Sequence, residues 1–112
     1  MLEAMWTVKF VGTNGAMAMG GGGIIVFESG RIFGGDSSFT YIGNYELAGG
    51  RISAAVDVSR YDAGLPSVVG LDKFTLRLSG EIARESFSVA GHVEGDPRRQ
   101  MAVQLRRIAE LP

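Results

Sequence analysis

No cysteine occurs in the chain. A disulfide framework is thereby excluded, and so is any zinc or iron–sulfur site built on thiolates. The only histidine is His92, and the carboxylates are scattered, so no metal ion and no cofactor is expected. Lysine is scarce as well: the 11 basic residues include only Lys9 and Lys73. Against 12 acids they leave a formal net charge of −1, which provides no general attraction to nucleic acid or to an anionic membrane. The longest run without a polar side chain, Gly15 to Phe27, is rich in glycine and too short to span a bilayer. Met1-Leu-Glu-Ala-Met-Trp6 has neither a basic nor an apolar leader segment, so no signal peptide is expected. With the missing cysteines, this agrees with a reducing, cytoplasmic location.

What is present is alternation. Hydrophobic residues make up 46% and charged residues 21% of 112 residues, the balance of one globular domain spanning residues 1–112. Trp6, Val8 and Phe10 alternate with Met5, Thr7 and Lys9, which predicts a strand over 4–12. A turn at Gly12-Thr-Asn-Gly15 leads to a second strand over 22–28. Ser29-Gly30 turns into a short third strand, Arg31-Ile-Phe33, which ends at Gly34-Gly35-Asp36. A fourth runs from Ser38 to Leu47, and Ala48-Gly49-Gly50 turns into a fifth carrying Ile52, Ala54, Val56 and Val58 on one face. Asp62 to Pro66 forms the longest loop. Phe74, Leu76 and Leu78 mark the sixth strand, Phe87, Val89, Gly91 and Val93 the seventh, and Met101, Val103 and Leu105 the eighth. The chain end is expected to curl into a helical turn at Ile108 to Leu111.

Seven to eight short strands with turns between them predict an all-β fold, a small antiparallel up-and-down β-barrel. The inward residues are Trp6, Val8, Phe10, Tyr41, Val56, Phe74, Leu76, Phe87, Val89, Met101 and Val103. Ala54, Gly91 and the Gly20 to Gly23 run among the inward candidates are small, so the barrel either packs tightly there or leaves a cavity for a small apolar ligand or lipid. One strand departs from alternation: Ile24, Ile25, Val26 and Phe27 are apolar on both faces. One face belongs to the core. The other is expected to be covered by a homodimer contact, or else by the N-terminal segment or a loop.

No constellation for catalysis stands out, and the chain is expected not to be an enzyme. Gly20 to Gly23 lacks the lysine and the helix of a phosphate-binding loop. His92 sits at an outward phase with no nucleophile placed beside it, and no Gly-x-Ser-x-Gly elbow occurs. Glu81 and Glu85 fall in the connection after the sixth strand, where acids keep a hairpin soluble. Asp36 is expected to make an Asx-turn with neighbouring backbone N–H groups. Arg98, Arg99, Arg106 and Arg107 form either a basic patch or a solvated strand edge and tail.

Gly23-Ile-Ile-Val-Phe-Glu-Ser-Gly-Arg-Ile-Phe-Gly-Gly-Asp36 and Tyr41-Ile-Gly-Asn-Tyr45 resemble the GrlR-like family of bacterial negative regulators of type III secretion. Pro66-Ser-Val-Val-Gly70 and the closing Met101, Leu105 and Ile108 are also similar. The resemblance implies a lipocalin-like barrel that dimerises, with a lipid or fatty acid as an alternative occupant of its interior. It further implies a cytoplasmic regulator that sequesters a transcriptional activator by protein–protein contact. The family's acidic docking run, however, is replaced here by Glu46-Leu-Ala-Gly-Gly-Arg51, in which Glu46 and Arg51 are the only charges.

Overall fold

In a computed structural model, which describes residues 2–12, 22–62 and 71–112, the period-two pattern becomes eight antiparallel strands. They are β1 (Ala4–Gly12), β2 (Gly22–Glu28), β3 (Arg31–Gly35), β4 (Phe39–Ala48), β5 (Arg51–Arg60), β6 (Lys73–Glu81), β7 (Ser86–Val93) and β8 (Asp96–Glu110). Each strand pairs with the next in sequence, and β8 returns to pair with β1, closing an up-and-down barrel. The expected turn at 12–15 and loop at 62–66 lie, beyond Gly12 and Asp62, outside the described residues.

The chain end corrects one expectation. Instead of curling into a helical turn, β8 stays extended through Glu110. Ala4 and Met5 of β1 offer backbone partners to Glu110 and Ala109, and this pairing overrides the helix propensity of the segment. A bulge between Met5 and Trp6 sets Arg107 opposite Trp6.

Two of the connections are two-residue hairpins with both central residues at positive φ: Ser29 and Gly30 at 53° and 78°, Gly49 and Gly50 at 57° and 78°. These are the angles that match the right-handed twist of the flanking strands. Ser29 carries the cost of a left-handed backbone, and its N–H donates to the Glu3 carboxylate at 2.7 Å.

Alternate residues of each strand face inward and form one apolar core. Trp6 is fully buried, its Nε1–H donating to the Leu2 carbonyl at 3.0 Å. Phe27 and Phe87 meet its ring edge-on at centroid distances of 6.1 and 5.1 Å. The Arg107 guanidinium lies 4.9 Å from the Trp6 ring centre and donates to the Arg84 carbonyl at 2.8 Å. These groups plug the end of the barrel where the β2–β3, β4–β5 and β6–β7 connections lie.

At Gly91 on β7 the backbone of β6 approaches closely. A Cβ built there would overlap the Arg77 carbonyl oxygen of β6, which belongs to backbone and cannot swing aside. Gly91→Ala is expected to lower the free energy of unfolding by about 1–3 kcal/mol, the usual cost of overpacking, measured by urea denaturation. An unchanged urea midpoint would refute this close approach.

Candidate functional site

Three regions were candidates for function: the lumen, the rim at its opposite end, and the outer wall. The structure places Trp6, Val8, Phe10, Tyr41, Val56, Phe74, Leu76, Phe87, Val89, Met101 and Val103 inside the barrel, against one another. Eight of them, Val8, Phe10, Tyr41, Val56, Leu76, Phe87, Val89 and Val103, line a central cavity. Trp6, Phe74 and Met101 lie towards the barrel ends and are absent from its wall. The cavity has a volume of only about 50 Å³. Binding pockets for organic ligands usually enclose about 300–1,000 Å³.

The rim opposite the Trp6 plug is organised by Asp36, in the connection between β3 and β4. Its Oδ1 accepts from the backbone N–H groups of Ser38 and Phe39, both at 2.8 Å, which is the Asx-turn expected of this residue. Oδ2 accepts from the Tyr41 hydroxyl, and the Tyr61 hydroxyl donates to the Asp36 carbonyl. Both carboxylate oxygens of Asp36 thus accept hydrogen bonds, one within the turn and one from Tyr41 on β4. Beside it, Arg60 stacks 4.7 Å from the Phe39 ring centre and pairs with Asp72 at 2.8 Å. Burial, reinforced by the hydrogen bond to the Asp36 carboxylate, pushes the Tyr41 phenol well above its ordinary value. Tyr41 therefore keeps its proton at neutral pH and holds it against the Asp36 carboxylate.

The outer wall carries the least expected feature. Of the four residues of the doubly apolar strand, Ile25 and Phe27 face the core, whereas Ile24 and Val26 face outward. The outward pair is not alone. Met5, Val26, Phe33 and Ile42 are successive cross-strand partners on β1, β2, β3 and β4, and form one apolar row across the wall. Phe33 is 36% exposed and Ile42 54% exposed, and Ile24 adjoins the row at 37%. Ile108 extends it at the β8 bulge. Phe33 and Ile42 are the functional candidates that alternation alone overlooked. The signal was present as adjacent apolar pairs, Ile32-Phe33 and Tyr41-Ile42, each of which must place one member outside.

Two further candidates, Glu46 and Arg51, are diagonal neighbours on adjacent strands, since Glu46 is opposite Ser53. Glu46 and Arg51 lie in the ends of β4 and β5, on either side of the Gly49–Gly50 turn, so no loop carries them. Glu46, with Arg77 and His92, borders a shallow outer concavity over β4 to β7, and Arg77 is held by Glu94 at 2.6 Å. Among the described residues no group of three metal-ligating side chains occurs, and no helix is long and apolar enough to cross a membrane.

Among known proteins, no family model matches this chain, and no curated protein matches it.

The Tyr41 environment gives a pH dependence with a definite sign. Because the folded phenol holds its proton above the value of the unfolded chain, its contribution to stability is complete below about pH 10. Stability is then lost as the pH rises, since the unfolded chain ionises first. Tyr41→Phe is expected to flatten this alkaline loss in urea titrations run below and above that pH. A variant as alkali-sensitive as the wild type would show that Tyr41 is not responsible.

Proposed function

We propose that this chain is a non-enzymatic regulatory or binding protein that works by protein–protein contact through the outer wall of its barrel, beginning with a second copy of itself. The observation that carries this is the apolar row Met5–Val26–Phe33–Ile42, which is left in water by a fold whose lumen keeps a cavity of only about 50 Å³. Apolar area kept in contact with water costs about 25 cal/mol per Å², so a continuous outer row is retained where a partner covers it. A second copy suits it because an isologous contact needs only one patch. A two-fold axis between Val26 and Phe33 brings each onto the other's counterpart and sets Met5 against Ile42. The nearby charges, Glu28 and Arg31, pair with each other at 3.7 Å and leave the centre of the row apolar.

A cytoplasmic regulator that holds a transcriptional activator, as the resemblance to GrlR-like proteins implies, would act by the same kind of contact. The acidic docking run of that family has no equivalent around Glu46 and Arg51, so an activator would be bound elsewhere on the wall. Carriage of a lipid or fatty acid finds less support, because the cavity is several times smaller than a usual ligand pocket. The engagement of Asp36 in its turn, where both carboxylate oxygens accept hydrogen bonds, favours a protein without catalysis.

Sedimentation equilibrium tests the proposal. The wild type is expected to be a dimer, and Phe33→Glu with Ile42→Glu a folded monomer. Ile25→Glu, which buries a charge in the core, is expected to unfold the protein instead. A wild-type monomer at high protein concentration would sink the interface.

A further inference from the structure

A second surface lies beside the apolar row and differs from it in every respect. The strands β7, β8 and β1 are neighbours in the barrel. Neither β1 nor β7 contains an acidic residue, and β8 contains none between Asp96 and Glu110. In a chain with a net charge of −1 this is a local concentration of positive charge on one wall. The wall is also concave. A groove of about 730 Å³ runs over it, with Lys9, Arg106, Gln104, Ser86 and Ser88 along its sides.

The two cations are the key to what it fits. Lys9 is opposite Gln104 and Arg106 is opposite Thr7, so Lys9 and Arg106 are diagonal neighbours on adjacent strands. Such neighbours stand about 7–8 Å apart at Cα. Both are exposed, and neither forms an ion pair among the described residues, whereas Arg31, Arg60, Arg77 and Arg107 all do. In an extended peptide, residues i and i+2 project from the same face about 7 Å apart. Two carboxylates at alternate positions therefore match the spacing of the two cations, and Ser86, Ser88 and Gln104 offer hydrogen bonds to the backbone between them. A nucleic acid strand is less well suited, since among the described residues no exposed aromatic ring borders the groove on which a base would stack.

We propose that this groove is a binding site for an extended acidic segment of a partner protein, with carboxylates at alternate positions engaging Lys9 and Arg106. It is separate from the apolar row, and the two surfaces can be disabled independently.

Fluorescence anisotropy with a labelled Gly-Glu-Ser-Glu-Ser-Gly peptide is the direct test. The wild type is expected to bind it, more weakly as salt is raised, and to bind the isomer Gly-Glu-Glu-Ser-Ser-Gly several-fold more weakly. Lys9→Glu and Arg106→Glu are each expected to weaken binding roughly tenfold, since an attraction becomes a repulsion. Lys9→Gln and Arg106→Gln serve as milder variants should either reversal disturb the fold by circular dichroism. Phe33→Glu should bind the peptide as the wild type does, which separates this site from the dimer contact. Absence of binding, equal affinity for the two isomers, or indifference to all four groove variants would overturn the proposal. So would equal or tighter binding of a single-stranded oligonucleotide with the same sensitivity to Lys9→Glu.

Discussion

Pairing between β1 and β8 is the constraint on which the rest of this structure depends. Every residue of β1 from Ala4 to Gly12 finds a partner on β8, and that ladder turns a meander into a closed wall with an inside and an outside. Because side chains alternate along each strand, the register of this one ladder decides which half of β1 is buried. Trp6 and Val8 point inward opposite Arg107 and Leu105, and Lys9 points outward opposite Gln104. A slip of one residue would put Trp6 in water and Lys9 in the core. The bulge at Met5/Trp6 protects against that slip. It lets Arg107 lie over the Trp6 ring while Ala109 and Glu110 remain paired.

Closure around large side chains also determines where function can reside. Trp6, Phe27 and Phe87 interlock at one end, and Asp36 fastens Tyr41 and Tyr61 at the other. Little space is left between them. The wall itself is divided: an apolar row crosses β1 to β4, and a polar, acid-free groove covers β7, β8 and β1. β1 belongs to both through its outward residues, Met5 on the apolar side and Lys9 on the basic side. A small barrel thus offers two chemically different faces on a scaffold too tightly packed to deform between them.

Most of the fold was legible in the sequence because period-two alternation records a closed barrel directly. The strands at 4–12 and 22–28, the Ser29-Gly30 and Gly49-Gly50 turns, and the inward set from Trp6 to Val103 follow from hydropathy and turn chemistry. The end of β8 did not, since Arg106 to Leu111 are good helix formers and only the distant Ala4 and Met5 hold them extended. The outer row was legible in part. Ile24 to Phe27 stood out as apolar on both faces, with the outward pair left open, but Phe33 and Ile42 join Ile24 and Val26 through cross-strand register, which no local pattern encodes. The convergence of Lys9 and Arg106 is of the same kind: residues from opposite ends of the chain meet only once the barrel is shut.

That last separation bears on how the molecule comes into being. Thr7 and Arg106 touch although they stand 99 positions apart in the chain. Tight hairpins such as β2–β3 and β4–β5 can zip up while translation is under way, since their strands are adjacent and their turns preset. β1 and β7 can pair with β2 and β6 in the same way, but each finds its second neighbour only on β8, the last strand in chain order. Until β8 is in place the inner apolar rows stay open, and closure joins strands far apart in sequence, the contacts that cost most chain entropy. The nascent protein therefore passes through an unsealed sheet with two bare margins, the interval in which it has most need of a chaperone.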